Sequence, residues 1–308
     1  MNTKSTLNAP GFSVYSIVDW AEAFIFDRMS RGLSKNTIPY YRRKLNNFVD
    51  FCQKNQVKNI EELTSPQIRD YLLTLEKGGH NRGGVFAYYK VLRAFLYWYA
   101  DENELTGWSN PIRKIKIRIP NNSPLEPADI NAIKEIIKTC QNNFTGLRDK
   151  AMIYMLLDTG MRASELLSLN IENVNSITGV IQILHGKGDK FRVAYLSKKS
   201  RLALRKYLNL RNEREGELFT NRDGMLLTYS GLRLMLKRKC KKAEVEYQSP
   251  HSFRRLFALI MLRNGVDIFS LQLLMGHADF QILRRYLKQT NQDTLKAHIK
   301  GSPVDSSL

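Results

Sequence analysis

The sequence predicts a mainly α protein of two domains: an all-helical N-terminal domain, then a mixed α/β domain with a small antiparallel sheet. Three observations carry that reading. The 308 residues are about two domains' worth at roughly 150 residues each. Apolar side chains recur with the 3.6-residue period of a helix through residues 34–100. In the second half, two short apolar runs flank a Gly-Lys-Gly turn, the mark of a β-hairpin.

The elements follow in order. Ser34 can cap a helix whose apolar face is Ile38, Tyr41, Leu45, Phe48 and Cys52. Ile68, Tyr71, Leu72 and Leu75 mark a second helix, opened near Ser65-Pro66 and stopped at Gly78-Gly79. A third runs from about Asn81 to Ala100 on Val85, Tyr89, Leu92, Leu96 and Tyr99. From Ile112 to Ile119 isoleucines alternate with Arg113, Lys114, Lys116 and Arg118, and Pro120 to Pro124 follow, which predicts an extended basic linker over 113–124. The expected domains are therefore 1–112 and 125–290, with a C-terminal tail over 291–308. In the second domain helices are expected at 127–140, 146–159, 163–169, 198–213, 229–243, 251–264, 268–275 and 280–288. The hairpin is expected from Val180–Leu184 and Phe191–Leu196.

Charge narrows the function. Lys plus Arg number 48 against 29 Asp plus Glu, a net charge of +19, and the excess runs through both halves. Two basic folded domains fit a long polyanion, with nucleic acid the first candidate. Basic residues off the apolar stripes are candidate phosphate contacts: Lys35, Arg42 and Arg43 on the first helix, Arg82 and Lys90 on the third, Arg233 and Lys237 on helix 229–243. No apolar run exceeds the length of Ala151–Leu157, far short of the roughly 20 residues of a membrane span. Three widely separated cysteines, Cys52, Cys140 and Cys240, fit neither a zinc site nor a disulfide framework, so no metal, no membrane and a reducing cytoplasm are expected. The N-terminus reads as carrying no signal peptide.

Four motifs in the second domain carry chemistry. Thr159-Gly160-Met161-Arg162-Ala163-Ser164-Glu165 launches an arginine at a helix start. Gly186-Lys187-Gly188-Asp189-Lys190 occupies the hairpin tip. His251-Ser252-Phe253-Arg254 puts an imidazole and a guanidinium on one helix face. Gly276-His277 is followed nine residues later by Tyr286. Each alone is ordinary.

Together, in this order, they closely resemble the catalytic domain of the tyrosine recombinases, the phage-integrase family, in its two-domain Xer-like form. The resemblance runs over about residues 12–300, and the helical N-terminal half resembles that family's core-binding domain. It implies that Arg162 and Arg254 hold a scissile phosphate, that Lys187 is the hairpin lysine, and that His251 and His277 are the two histidines. Tyr286 would be the nucleophile and Glu165 a supporting acid. Arg255 departs from the pattern, since many members have a histidine there, and Ile282-Leu283-Arg284-Arg285 replaces a Ser/Thr-rich stretch. No domain is read before residue 12 that would bind a second class of DNA site.

The expected chemistry follows. Two guanidiniums fit a phosphodiester that gains negative charge in its transition state. A tyrosine of ordinary pKa near 10 needs a base, with His251 the candidate. The leaving 5′ oxygen needs a proton, with Lys187 the candidate acid and Lys190 its fallback. His277 would hydrogen-bond the phosphate. A 3′-phosphotyrosine would conserve the bond, so no cofactor is expected. Implied partners are a double-stranded DNA core site, a homo-tetramer on two duplexes and accessory proteins, acting in the cytoplasm on the nucleoid. The rival readings are a catalytically silent DNA-binding accessory protein and a type IB topoisomerase-like relaxing enzyme.

Overall fold

A computed structural model describes residues 16–33, 37–103, 108–118, 126–184, 191–211 and 215–276, together with Leu295 and Ile299. Among these residues lie eleven α-helices and one two-stranded antiparallel sheet, so the mainly helical expectation holds. The chain divides into two compact units, Met1–Asn121 and Asn122–Leu308.

The first unit is built from α1 (Ile17–Ser30), α2 (Thr37–Lys54), α3 (Ser65–Lys77) and α4 (Arg82–Asn103). α3 begins at Ser65, as expected, and the residue before it, Thr64, is its cap and exchanges hydrogen bonds with Gln67 in a capping box. α4 buries a wider face than the stripe read from the sequence. Tyr88, Val91, Phe95 and Trp98 are covered as well, because α1, α2 and α3 all pack on it. Trp20, Phe24, Phe95, Trp98 and Tyr99 meet edge to face around it, with ring centroids 4.9–6.1 Å apart among the edge-on pairs. α1 was not singled out in the sequence. Its large apolar residues circle the helix, with Phe24 and Ile25 buried but Phe26 and Met29 exposed, so no clean stripe announces it. The expected linker also begins later than read. Pro111–Lys114 is a 3₁₀ turn, and Ile112 and Ile115 lie in the first unit's core. Ser34 and Lys35 lie outside the described residues.

The second unit comprises α5 (Ile130–Lys138), α6 (Phe144–Thr159), α7 (Ala163–Leu167), β1 (Val180–Ile183), β2 (Arg192–Tyr195), α8 (Lys198–Leu208), α9 (Tyr229–Lys242), α10 (Pro250–Arg263) and α11 (Ile268–Met275). The hairpin pairs Val180 with Tyr195 and Ile183 with Arg192. Its tip, 185–190, and the helix expected at 280–288 lie outside the described residues. α6 is the central element: Ala151, Met152, Ile153, Met155 and Leu156 are fully buried, and α7, α8, α10 and β2 pack around it. That enclosure explains why its apolar residues form a continuous run rather than a stripe. All three cysteines are free. No helix among the described residues is long and apolar enough to cross a membrane.

Gly160 ends α6 in the left-handed conformation, φ 56°, and a Cβ there would stand 2.2 Å from Phe257 Cδ1 on α10. Gly160→Ala therefore combines backbone strain with a steric clash and should weaken the second unit by about 2–4 kcal/mol. The three tryptophans, Trp20, Trp98 and Trp108, all lie in the first unit. Denaturant titration should show early loss of helical circular dichroism in this variant with an unmoved tryptophan-fluorescence midpoint. A common shift of both signals would contradict two independent cores.

Candidate active site

The site is built where the chain turns from α6 into α7. Gly160 reverses the backbone, Met161 is fully buried beneath it, and Arg162 follows in extended conformation as the residue capping α7. The Arg162 backbone N–H donates to Glu165 Oε2 at 2.8 Å, and its Nη1 donates to Oε1 at 2.7 Å. Glu165 is 1% exposed. Its Oε2 also accepts from Arg192 Nη2, on β2, at 2.7 Å. One buried carboxylate thus joins two guanidiniums from separate elements.

The end of α11 closes the site. A helix leaves its last carbonyls without helical donors, and here three consecutive ones meet three arginines. Arg192 Nη1 donates to Leu274 O at 2.5 Å, Arg254 Nη2 to Met275 O at 2.7 Å, and Arg162 Nη2 makes a long 3.5 Å contact with Gly276 O. Arg254, on α10 and 2% exposed, also donates from Nη1 to Gly160 O at 2.5 Å. Arg254 therefore ties the α6–α7 turn to the end of α11. Gly276 caps α11 in the left-handed conformation, φ 61°, and a Cβ on it would lie 2.6 Å from Arg192 Cδ. Glycine is required there on both counts.

Electrostatics follow from this packing. Burial pushes the Glu165 carboxyl up, but the Arg192 charge and the hydrogen bonds from Arg162 and Arg192 outweigh it, so Glu165 stays below its ordinary value and ionised. His251 sits in the first turn of α10, behind Ser249 as cap and Pro250, and remains exposed. Partial desolvation of the ring lowers its imidazole pKa, and the charges of Arg255, Arg254 and Arg162 lower it further. Neutral His251 can accept a proton at neutral pH. Arg255 donates from Nε to Glu126 O at 2.7 Å, anchoring α10 to the start of the second unit.

Of the residues singled out in the sequence, Arg162 and Arg254 meet the end of α11 directly, Glu165 joins them through Arg162 and Arg192, and His251 shares their field. Lys187, Lys190, His277 and Tyr286 lie outside the described residues. Arg192 was missed. Its signal was present: on a strand of period two it falls in phase with buried Ala194 and Leu196, while Phe191 and Tyr195 are exposed. A charge on the buried face of a strand calls for a partner. Among the described residues, no three His, Cys, Asp or Glu side chains gather as a metal would require.

The basic positions of the first unit divide. Arg42 is ion-paired with Glu22 at 2.5 Å. Arg42 and exposed Arg43 line a shallow groove of about 510 Å³ with Pro39, Asn46, Asn47, Asp50 and Tyr88. Lys44, not singled out in the sequence, is buried with its ammonium 3.5 Å from the Tyr88 ring centroid. Arg82, Lys90, Arg233 and Lys237 are exposed.

Comparison with known proteins agrees with this geometry. The family described as "Phage integrase family" matches residues 128–293, and "Phage integrase, N-terminal SAM-like domain" matches residues 26–103. Tyrosine recombinase XerC of Leptospira interrogans is 31% identical over 96% of this chain and 96% of its own length. Tyrosine recombinase XerD of Listeria monocytogenes is 33% identical over 88% of this chain and 94% of its own. Among solved structures, the Tn1549 transposon integrase in complex with transposon right end DNA superposes with a TM-score of 0.73 at 16% identity, over 92% of this chain and 98% of that one. XerH bound to palindromic difH substrate gives 0.70 at 21% identity, over 94% and 85%. These two share the fold. With one family matched over more than half of its length, and relatives above 30% identity over nearly all of it, the chain belongs to the phage integrase family of tyrosine recombinases.

Proposed function

We propose that this protein is a site-specific recombinase that cuts and rejoins double-stranded DNA through a 3′-phosphotyrosine intermediate. The observation that carries the proposal is the convergence of Arg162 and Arg254 on the end of α11, with neutral His251 in the field of both arginines. Their guanidiniums, with His277, hold the non-bridging oxygens of the scissile phosphate and stabilise the charge gained in its five-coordinate transition state. The Tyr286 hydroxyl attacks phosphorus and its proton passes to His251. The bond to the 5′ oxygen breaks as that oxygen takes a proton from Lys187, with Lys190 the alternative donor. Rejoining is the reverse, with a 5′ hydroxyl displacing Tyr286. The phosphodiester bond is conserved in the intermediate, so the cycle requires no nucleotide hydrolysis.

Both units engage the duplex, the first through the Arg42–Arg43 groove with Lys35, Arg82 and Lys90, the second through Arg233 and Lys237. Four copies act on two duplexes, with the 291–308 tail docking on a neighbouring copy, in the cytoplasm on the nucleoid. A recombinase is favoured over a relaxing enzyme or a silent accessory protein because its Xer relatives match across both units and because Arg162, Glu165, His251 and Arg254 are all present.

On a nicked suicide duplex the wild-type protein should accumulate an adduct stable to denaturing electrophoresis. Tyr286→Phe should abolish it while duplex binding persists, and retained adduct would remove Tyr286 as nucleophile. Lys187→Ala should cleave poorly yet recover on a 5′-phosphorothiolate, whose sulfur leaves without a proton. Recovery by Lys190→Ala instead would transfer the role to Lys190. Because the His251 pKa is lowered, the acid limb of kcat/KM for cleavage should fall below the ordinary histidine value of 6.5. His251→Gln should remove that limb, and an unchanged limb would exclude His251 as base.

A further inference from the structure

Resting on the reading of this site as one of strand breakage, we propose that Arg192 is a positioning residue, whose guanidinium spans Glu165 and the end of α11 and thereby sets where Arg162 stands. Arg162 is held by very little besides Glu165. Its side chain makes the 2.7 Å bond to Oε1 and the long contact to Gly276 O. Glu165 must therefore be held by something else. Arg192 does this from β2, binding Oε2 at 2.7 Å with one arm of its fork and Leu274 O at 2.5 Å with the other. The two arms fix the carboxylate relative to the helix end that Arg254 also grips. A planar guanidinium suits this bridge, because its donors reach two acceptors in a fixed geometry.

The surroundings leave little other role for the side chain. Arg192 is buried and pairs with Ile183 at the end of the ladder nearest the turn. It passes against Gly276, where any Cβ would displace it. The charged groups facing Glu165 are the Arg162 guanidinium, at the head of its own helix, and the Arg192 guanidinium from β2. Removing Arg192 leaves a buried carboxylate with one partner, which favours its protonation. Protonated Glu165 holds Arg162 less firmly, and a misplacement on the scale of 1 Å can cost about 100-fold in rate.

The test uses full-length protein and a nicked suicide duplex, with cleavage followed across pH and duplex binding and circular dichroism measured in parallel. Arg192→Gln should cleave about 100-fold more slowly at neutral pH with duplex affinity roughly unchanged. Its loss should deepen as pH falls, because Glu165 now protonates at higher pH than in the wild type. Adding Glu165→Gln to Arg192→Gln should bring no further loss beyond Glu165→Gln alone, the mark of two residues acting as one unit. Arg192→Lys keeps the charge but spans only one acceptor. It should keep the wild-type acid limb and cleave about tenfold more slowly, the worth of one lost charge-assisted hydrogen bond.

Arg192→Gln cleaving like the wild type, a loss equal at every pH, or losses that simply multiply with Glu165→Gln would each overturn the proposal. If Arg192→Gln does not fold, Arg192→Lys decides, and wild-type cleavage by it would refute the bridge. Absence of adduct from the wild-type protein would instead refute the strand-breakage reading, so the two failures are distinct.

Discussion

Three backbone carbonyls at the end of one helix organise the second unit. α11 finishes at Met275, and the last carbonyls of a helix lack helical donors. Arg192, Arg254 and Arg162 supply the donors. A helix C-terminus carries partial negative charge, so cations are favoured there. A guanidinium as buried as that of Arg254 must in turn be satisfied on most of its edge. Each requirement meets the other. The consequence is geometric: β2, α10 and the α6–α7 turn, drawn from distant parts of the chain, reach one point because their arginines share one helix end.

The second constraint is the balance of charge at that point. Three arginines so close repel one another, and Glu165 offsets part of that repulsion from within the protein. Because Glu165 is buried and bound on both oxygens, it neutralises without facing outward. The surplus of positive charge stays available to an anion, and partial desolvation together with the same field keeps His251 unprotonated. A site that both attracts a phosphate and retains a neutral base needs this separation, with the carboxylate behind the arginines and the imidazole beside them.

Much of this was legible in the sequence, for identifiable reasons. Helices α2 to α4 announce themselves by period, and Arg162, Glu165, His251 and Arg254 by order and spacing. The structure brings those four into one field. What escaped shares a different cause. α1 has apolar residues on every side, so no periodic face marks it. Ile115 read as part of a linker because its basic neighbours mask that it enters the first unit's core. Arg192 vanished among the many lysines and arginines of a basic chain. It stands out only once strand phase shows it on the buried side. Long-range partners such as Leu274 for Arg192 have no local signature at all. Glycines gave the sharper clues, since Gly160 and Gly276 mark the two places where backbone and side chain approach too closely for a Cβ.

Everything proposed for this site turns on which atom takes the phosphate. The direct measurement is mass spectrometry of the trapped protein–DNA adduct after nuclease trimming and trypsin digestion. The nucleotide mass is predicted on the peptide Tyr286-Leu287-Lys288, joined through the tyrosine oxygen to a 3′ phosphate. The same mass on a peptide from elsewhere in the chain, or a linkage to a 5′ phosphate, would contradict it.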